Sequence, residues 1–170
     1  MTLSAYDENW PDRADALAAE LGRLLGDCLL VCHHIGSTSV PGLSAKPIID
    51  LIPVVTDLGA LASCRPALEA ARFEWLSAFG LPRRRYIRRD DASGAREVQC
   101  HAYAQGDPEI ERHLAFRDLL RRDASARAEY SAVKERCART SKDGAAYCDC
   151  KDETVKRLES RALADLRTTA

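Results

Sequence analysis

Asp50 interrupts an otherwise apolar run, Pro47-Ile48-Ile49-Asp50-Leu51-Ile52-Pro53-Val54-Val55. A carboxylate is disfavoured inside a strand, and a buried charge without a partner is costly, so its presence asks for a reason. Thirteen residues earlier stands Ser37, within the small-residue segment Gly36-Ser37-Thr38-Ser39. Such a loop offers backbone N–H groups and hydroxyls to phosphate oxygens. A carboxylate on the neighbouring strand can hold magnesium that bridges those phosphates. The alternative is a tight turn built by glycine and serine, with Asp50 satisfied by backbone donors. Lys46 lies just before Pro47 and opposite the loop, either a point charge that reaches phosphate or an exposed lysine at a strand entrance.

Histidines widen the set. His34 immediately precedes the loop, as a loop-orienting or substrate-contacting residue, and His33 alternates to the opposite, surface face. On a later strand Gln99 and His101 share one face while Cys100 takes the other, so His101 is expected to meet Asp50 in one cleft with Ser37 and Lys46 at its rim. Further on, Tyr147, Lys151, Val155, Leu158, Ala162 and Leu166 fall on one helical face. Lys151 breaks that stripe and must reach water or meet an anion. His113 and Arg117 sit four apart beside Ile110 and Leu114, and Tyr130 pairs with Lys134. These groups either line the same cleft from the far side or are solvated helix pairs. Arg83, Arg84, Arg85, Arg88, Arg89 and Arg96 crowd residues 83–96, where they face phosphates, Arg85 among them, or solvate an exposed hairpin.

The elements that must hold these residues follow from pattern. Pro11 and the spacing of Leu17, Leu21, Leu24 and Leu25 predict an amphipathic helix that stops near Gly26. Cys28–Ile35 and PIIDLIPVV read as strands around the Gly/Ser/Pro-rich loop. Leu58–Ala71 reads helical with a start or kink at Pro66, FEWLSA as a strand, and RRRYIRR-DDASGA-REVQCHAYA as a hairpin. Three helices complete the chain, at about 108–122, 125–139 and 143–166, the first capped by Asp107 before Pro108. This order predicts an α/β (α+β) domain with a mixed sheet and a helical lobe folded against it.

Composition narrows the function classes. At 170 residues, 46% hydrophobic and 30% charged, the chain can build a core without disulfides or structural metal. No apolar stretch is long enough for a membrane span, and the N-terminal residues Asp7, Glu8, Asp12 and Asp15 do not make a secretion signal, so a cytoplasmic location is expected. The seven cysteines then read as reduced, mostly small core residues. With no C-x-x-C pair, no zinc site is expected. The first 80 residues carry 5 basic and 10 acidic groups and the remainder 20 and 16, for a net charge of −1. That balance, with 6% aromatic residues, argues against nucleic acid as a partner and for a small molecule. Nothing in the pattern specifies an oligomeric state.

The segment HIGSTSVPGLSAKPIIDL, residues 34–51, resembles the signature of the GrpB (UPF0157) family, whose members belong to the nucleotidyltransferase superfamily. The resemblance extends through Tyr6-Asp7, Trp10-Pro11, Arg84-Arg85-Tyr86, HLAFRDLLR at 113–121, Tyr130 with Lys134 and Tyr147 with Lys151. It implies a single GrpB-like domain over 1–170: a nucleotidyltransferase-like mixed sheet flanked by helices (about 1–106) and a C-terminal helical lobe (about 107–170). It places the superfamily's glycine-serine loop on Gly36-Ser37 and its first metal-binding carboxylate on Asp50. Ile52 stands where a second carboxylate is expected, and a family H-x-H motif reads Gln99-Cys100-His101. The implied activity is nucleotidyl transfer to a small acceptor from an NTP or another phosphorylated or carboxylated ligand, with magnesium held only when the ligand completes its coordination. Two alternatives remain open: metal-independent acid–base chemistry by Asp50 and His101, and a non-catalytic module that binds a nucleotide or a CoA-related coenzyme.

Overall fold

The computed structural model describes residues 2–169. Helix α1 (Trp10–Leu25) begins with Pro11 in its first turn and buries Trp10, Ala14, Leu17, Leu21 and Leu25 at helical spacing. Gly26, at φ +53°, closes it by returning its N–H to the carbonyl of Gly22, a conformation that favours glycine. Strands β1 (Leu29–Ile35), β2 (Ile49–Val55), β3 (Glu74–Trp75), β4 (Arg85–Asp90) and β5 (Arg96–Ala104) form one sheet in the order β1-β2-β5-β4-β3. The central β2–β5 pair is parallel and the others are antiparallel, so the sheet is mixed as expected.

Alternation along β2 divides the two faces. Ile49, Leu51 and Val55 join α1, Leu61, Leu68 and Phe73 in the larger core. Ile52 and Val54 turn the other way, with Ile35 and Tyr103, and are covered by Ile110 and Leu114 of α4 (Pro108–Arg122). Asp50 shares that second face. Helices α5 (Ala124–Thr140) and α6 (Gly144–Thr169) pack with α4 around Leu119, Leu120, Tyr130, Leu158 and Ala162, enclosing Val40 and Leu43 from the β1–β2 loop. The lobe is thus anchored to the sheet by α4 and to the loop by apolar contact. Asp107 and Asp123 cap α4 and α5 by accepting from the backbone N–H groups of Glu109 and Ala126. Among the described residues no helix is long and apolar enough to cross a membrane.

The helical stretch over Leu58–Ala71 divides at Pro66 as expected, into α2 (Leu58–Ser63) and α3 (Arg65–Ala70), with Pro66 in the first turn of the second. Two expectations need correction. FEWLSA is strand only at Glu74 and Trp75; Leu76 and Ser77 still exchange backbone hydrogen bonds with Tyr86, and the positive φ of Ser77, Phe79 and Gly80 turns the chain out of the sheet. The cysteines are not all unpaired: Cys137 in the last turns of α5 is bonded to Cys150 in α6, with Cα atoms 5.8 Å apart. The tight α5–α6 connection brings these two positions face to face, a proximity that linear spacing alone did not reveal. Cys100 is buried and Cys28, Cys32 and Cys64 are half-buried, in keeping with a role as small core residues.

Candidate functional site

The first turn of the β1–β2 loop sets the position of Asp50. Gly36 has φ +70°, and a Cβ at this residue would lie 2.4 Å from Asp50 Oδ2, so the carboxylate occupies the space a side chain would need. The following turn is fixed by its own hydroxyls. Ser39 Oγ donates to the Gly36 carbonyl at 2.7 Å, and Thr38 Oγ1 meets His34 Nε2 at 2.9 Å. The lobe grips this loop through main-chain carbonyls: Arg117 donates to His34 O at 3.1 Å and Arg121 to Ser39 O at 2.9 Å.

Between loop and lobe lies a cavity of about 440 Å³ with Asp50 on its floor. Gly36, Ser37, Thr38 and Lys46 line it from the loop, Gln99 and His101 from β5, and His113, Arg117, Lys134, Tyr147 and Lys151 from the lobe. Asp50 and His101 therefore share one cleft, with Ser37 and Lys46 beside them and Lys151 and Arg117 arriving from the helices. Burial pushes the Asp50 carboxyl up to about 7, against the pull of Lys151, Lys134 and Lys46. His101 Nε2 is 3.9 Å from Asp50 Oδ1, beyond hydrogen-bonding distance. Burial and the neighbouring His113, Arg84 and Arg112 hold His101 down to about 3, so the pair is not an ion pair at neutral pH. Arg84 Nη1 donates to His101 Nδ1 at 3.3 Å, which leaves the imidazole proton on Nε2, facing Asp50.

The lysines complete the electrostatics. Lys134 is 2% exposed, donates to the Ser44 carbonyl at 2.5 Å and is pushed down to about 7 by burial and by Lys151. The ammonium groups of Lys46 and Lys151 lie 4.8 and 5.2 Å from the centroid of the Tyr147 ring. Among the described residues none of the three lysines forms a salt bridge within 4.0 Å. Tyr130 is buried, has Ser37 as a side-chain hydrogen-bond partner, and is held up to about 12 by burial.

The structure removes three residues from the cavity wall. Arg85 donates to the carbonyls of Pro82 and Arg84 instead, because strand alternation turns it from the face that Tyr86 presents to His101. Ser39 is 3% exposed and spends its hydroxyl on the turn. His34 orients Thr38 rather than meeting the cavity, and His33, expected at the surface, is half-buried. Most of the arginine cluster is paired away from the cavity: Arg83 with Asp107, Arg88 with Glu74 and Arg96 with Asp90, while Arg89 is largely buried between Glu20 of α1 and Glu97. Arg84 and Glu159 were not singled out by sequence. Glu159 lines the cavity and is bound by Arg112, which also pairs with Glu109 and donates to His113 Nε2. Their contacts join residues 17 and 47 positions apart, which spacing does not disclose.

These residues do not by themselves fit magnesium. Among the described residues no group of three or more His, Cys, Asp or Glu side chains could hold a metal ion. Ile52, in the second-carboxylate position, is fully buried in the apolar layer under α4, and Gln99 pairs opposite Asp50 as a neutral amide. Three lysines act on Asp50, and the cavity's other carboxylate, Glu159, is already bound by Arg112, a donor set suited to an anion.

The comparisons with known proteins agree with the fold. The family described as "GrpB protein" matches residues 1–161. The UPF0157 protein YqkA of Bacillus subtilis is 35% identical over 92% of the chain, which spans 46% of that relative's length. The UPF0157 protein BH1888 of Halalkalibacterium halodurans is also 35% identical, with 96% of this chain and 83% of that one covered. A crystal structure of the conserved protein GrpB from Enterococcus faecalis superposes with a TM-score of 0.89 at 33% identity, covering 97% of this chain and 99% of that one. Cid1 in complex with its short product ApU shares the fold at a TM-score of 0.53 and 17% identity, over 76% of this chain and 41% of that one. The sheet and its flanking helices are thus nucleotidyltransferase-like, and the chain belongs to the GrpB family.

Proposed function

We propose that the cavity binds a phosphorylated or carboxylated small molecule, an NTP or a CoA-related compound, and that the protein transfers a nucleotidyl group from it to a small acceptor. The observation that carries this reading is the convergence of Lys46, Lys134 and Lys151 on Asp50 beneath the Gly36–Ser39 turn, inside a nucleotidyltransferase-like fold. Phosphoryl chemistry of this kind relies on positioning and charge neutralisation, which clustered cations supply. Asp50, titrating near 7, is matched to take the proton of an acceptor hydroxyl. The acceptor oxygen then bonds to the α-phosphorus as the bond to diphosphate breaks, and the lysines receive the departing charge.

A thermal-shift panel of NTPs, CoA compounds and simple carboxylates tests the binding step. An anionic ligand should raise Tm by several degrees, and Lys151→Glu should abolish the rise while shifting the unliganded Tm by no more than a few degrees. A response to no anion, or one indifferent to Lys151→Glu, overturns the reading. A second reading is favoured by the 3.9 Å approach of His101 to Asp50: an acid–base pair acting on a bound small molecule without group transfer. Turnover of the ligand without release of diphosphate would select it.

A further inference from the structure

Resting on that reading of the cavity as an anion site, we propose that its lysines take the place of the metal: Lys46, Lys134 and Lys151 hold a phosphoryl or diphosphoryl group directly, as a metal-free anion. The three come from three separate parts of the fold, the loop before β2, α5 and α6, and all act on the same carboxylate. A cation brought to Asp50 meets their repulsion and finds no second acid beside it: the neighbouring positions are the buried Ile52, the amide of Gln99 and the neutral imidazole of His101, and Glu159, the other acid lining the cavity, is bound by Arg112. An anion meets the opposite field.

Lys134 shows what the arrangement is for. Burying an ammonium is costly, and this one is 2% exposed with a single backbone carbonyl as its hydrogen-bond partner. An ammonium has three donors, so it keeps capacity for a ligand oxygen. Lys46 and Lys151 are both held against the Tyr147 ring, which fixes two flexible chains near each other without consuming their hydrogen bonds. Phe116, Leu120 and Val155 supply an apolar wall for the body of the same ligand. In this arrangement Asp50 is no metal ligand. It is the negative group that keeps three cations together when the site is empty.

Calorimetry with inorganic pyrophosphate and with ATP, each in excess EDTA and in excess magnesium, tests the proposal on the full chain. Binding in EDTA should equal or exceed binding in magnesium, because the metal competes with the lysines for the phosphate oxygens. Lys151→Gln and Lys46→Gln should each weaken binding about tenfold or more. Asp50→Asn should bind pyrophosphate in EDTA at least as tightly as the parent, since it removes a negative charge beside the anion. Binding that requires magnesium and disappears in Asp50→Asn overturns the lysine assignment and leaves the anion reading standing. Binding of neither probe under either condition, with the parent protein folded by circular dichroism, overturns both. If Asp50→Asn fails to fold, the EDTA and magnesium comparison on the parent and the two lysine variants decides alone.

Discussion

Asp50 and Lys134 are displaced towards each other on the pH scale, one up from the ordinary carboxylate range and one down from the ordinary ammonium range, and both arrive at about 7. Each displacement costs folding free energy, about 1.4 kcal/mol for every unit. For Asp50 the raised value means that stability is lost as pH rises from 3.8 to 7. For Lys134 the lowered value means that stability is lost as pH falls from 10.5 to 7. The two penalties overlap most at neutrality. The double variant Asp50→Asn with Lys134→Met should therefore gain stability most near pH 7, by a few kcal/mol at most after the lost bond to the Ser44 carbonyl is deducted. Chemical denaturation at pH 5, 7 and 9 reads this, and a gain that is greatest at either extreme would contradict it. Asp50 was legible in the sequence because a carboxylate in an apolar strand has few bland explanations. Arg84 was hidden among six arginines, and only the pairing of β4 with β5 decides that it, rather than Arg85, touches His101.

The elements were legible where local chemistry dictates them. Asp107 before Pro108 and Gly26 after Leu25 mark helix ends that fold alike in any surroundings. The strand expected over FEWLSA failed because alternation of apolar residues says nothing about the positive φ values that follow Trp75. The α5–α6 bridge was equally out of reach, since C-x-C and isolated cysteines do not specify partners. Cys137 and Cys150 are 13 residues apart, and closing a loop near that size stabilises a fold by about 3 kcal/mol. Cys137→Ser should lower Tm to the value the parent shows under reductant, and the unfolded, unreduced parent should titrate five thiols rather than seven. Seven thiols would place the bridge outside the isolated protein's resting state. Because Tyr147 and Lys151 flank the bridged turn, the same variant should weaken anion binding.

On the scale of the whole molecule, the cavity has two makers. The sheet and its loop provide the acid and the hydroxyls, and the lobe provides Lys134 and Lys151 and covers Ile52, Val54 and Tyr103. A fragment ending near residue 106 keeps every strand yet uncovers that apolar face, so it should bind a hydrophobic dye and associate, whereas the full chain should do neither. A monomeric, dye-silent fragment would show that the sheet does not depend on the lobe.

The grip of Arg117 and Arg121 on the carbonyls of His34 and Ser39 has a temporal meaning. A ribosome delivers the loop more than seventy residues before either arginine, so the nascent loop waits with those carbonyls in water. Its final shape is set only when α4 emerges and docks. Ligand that is present during synthesis therefore has nothing complete to bind until the basic helices follow, and cannot guide the early steps of folding, only secure the last one.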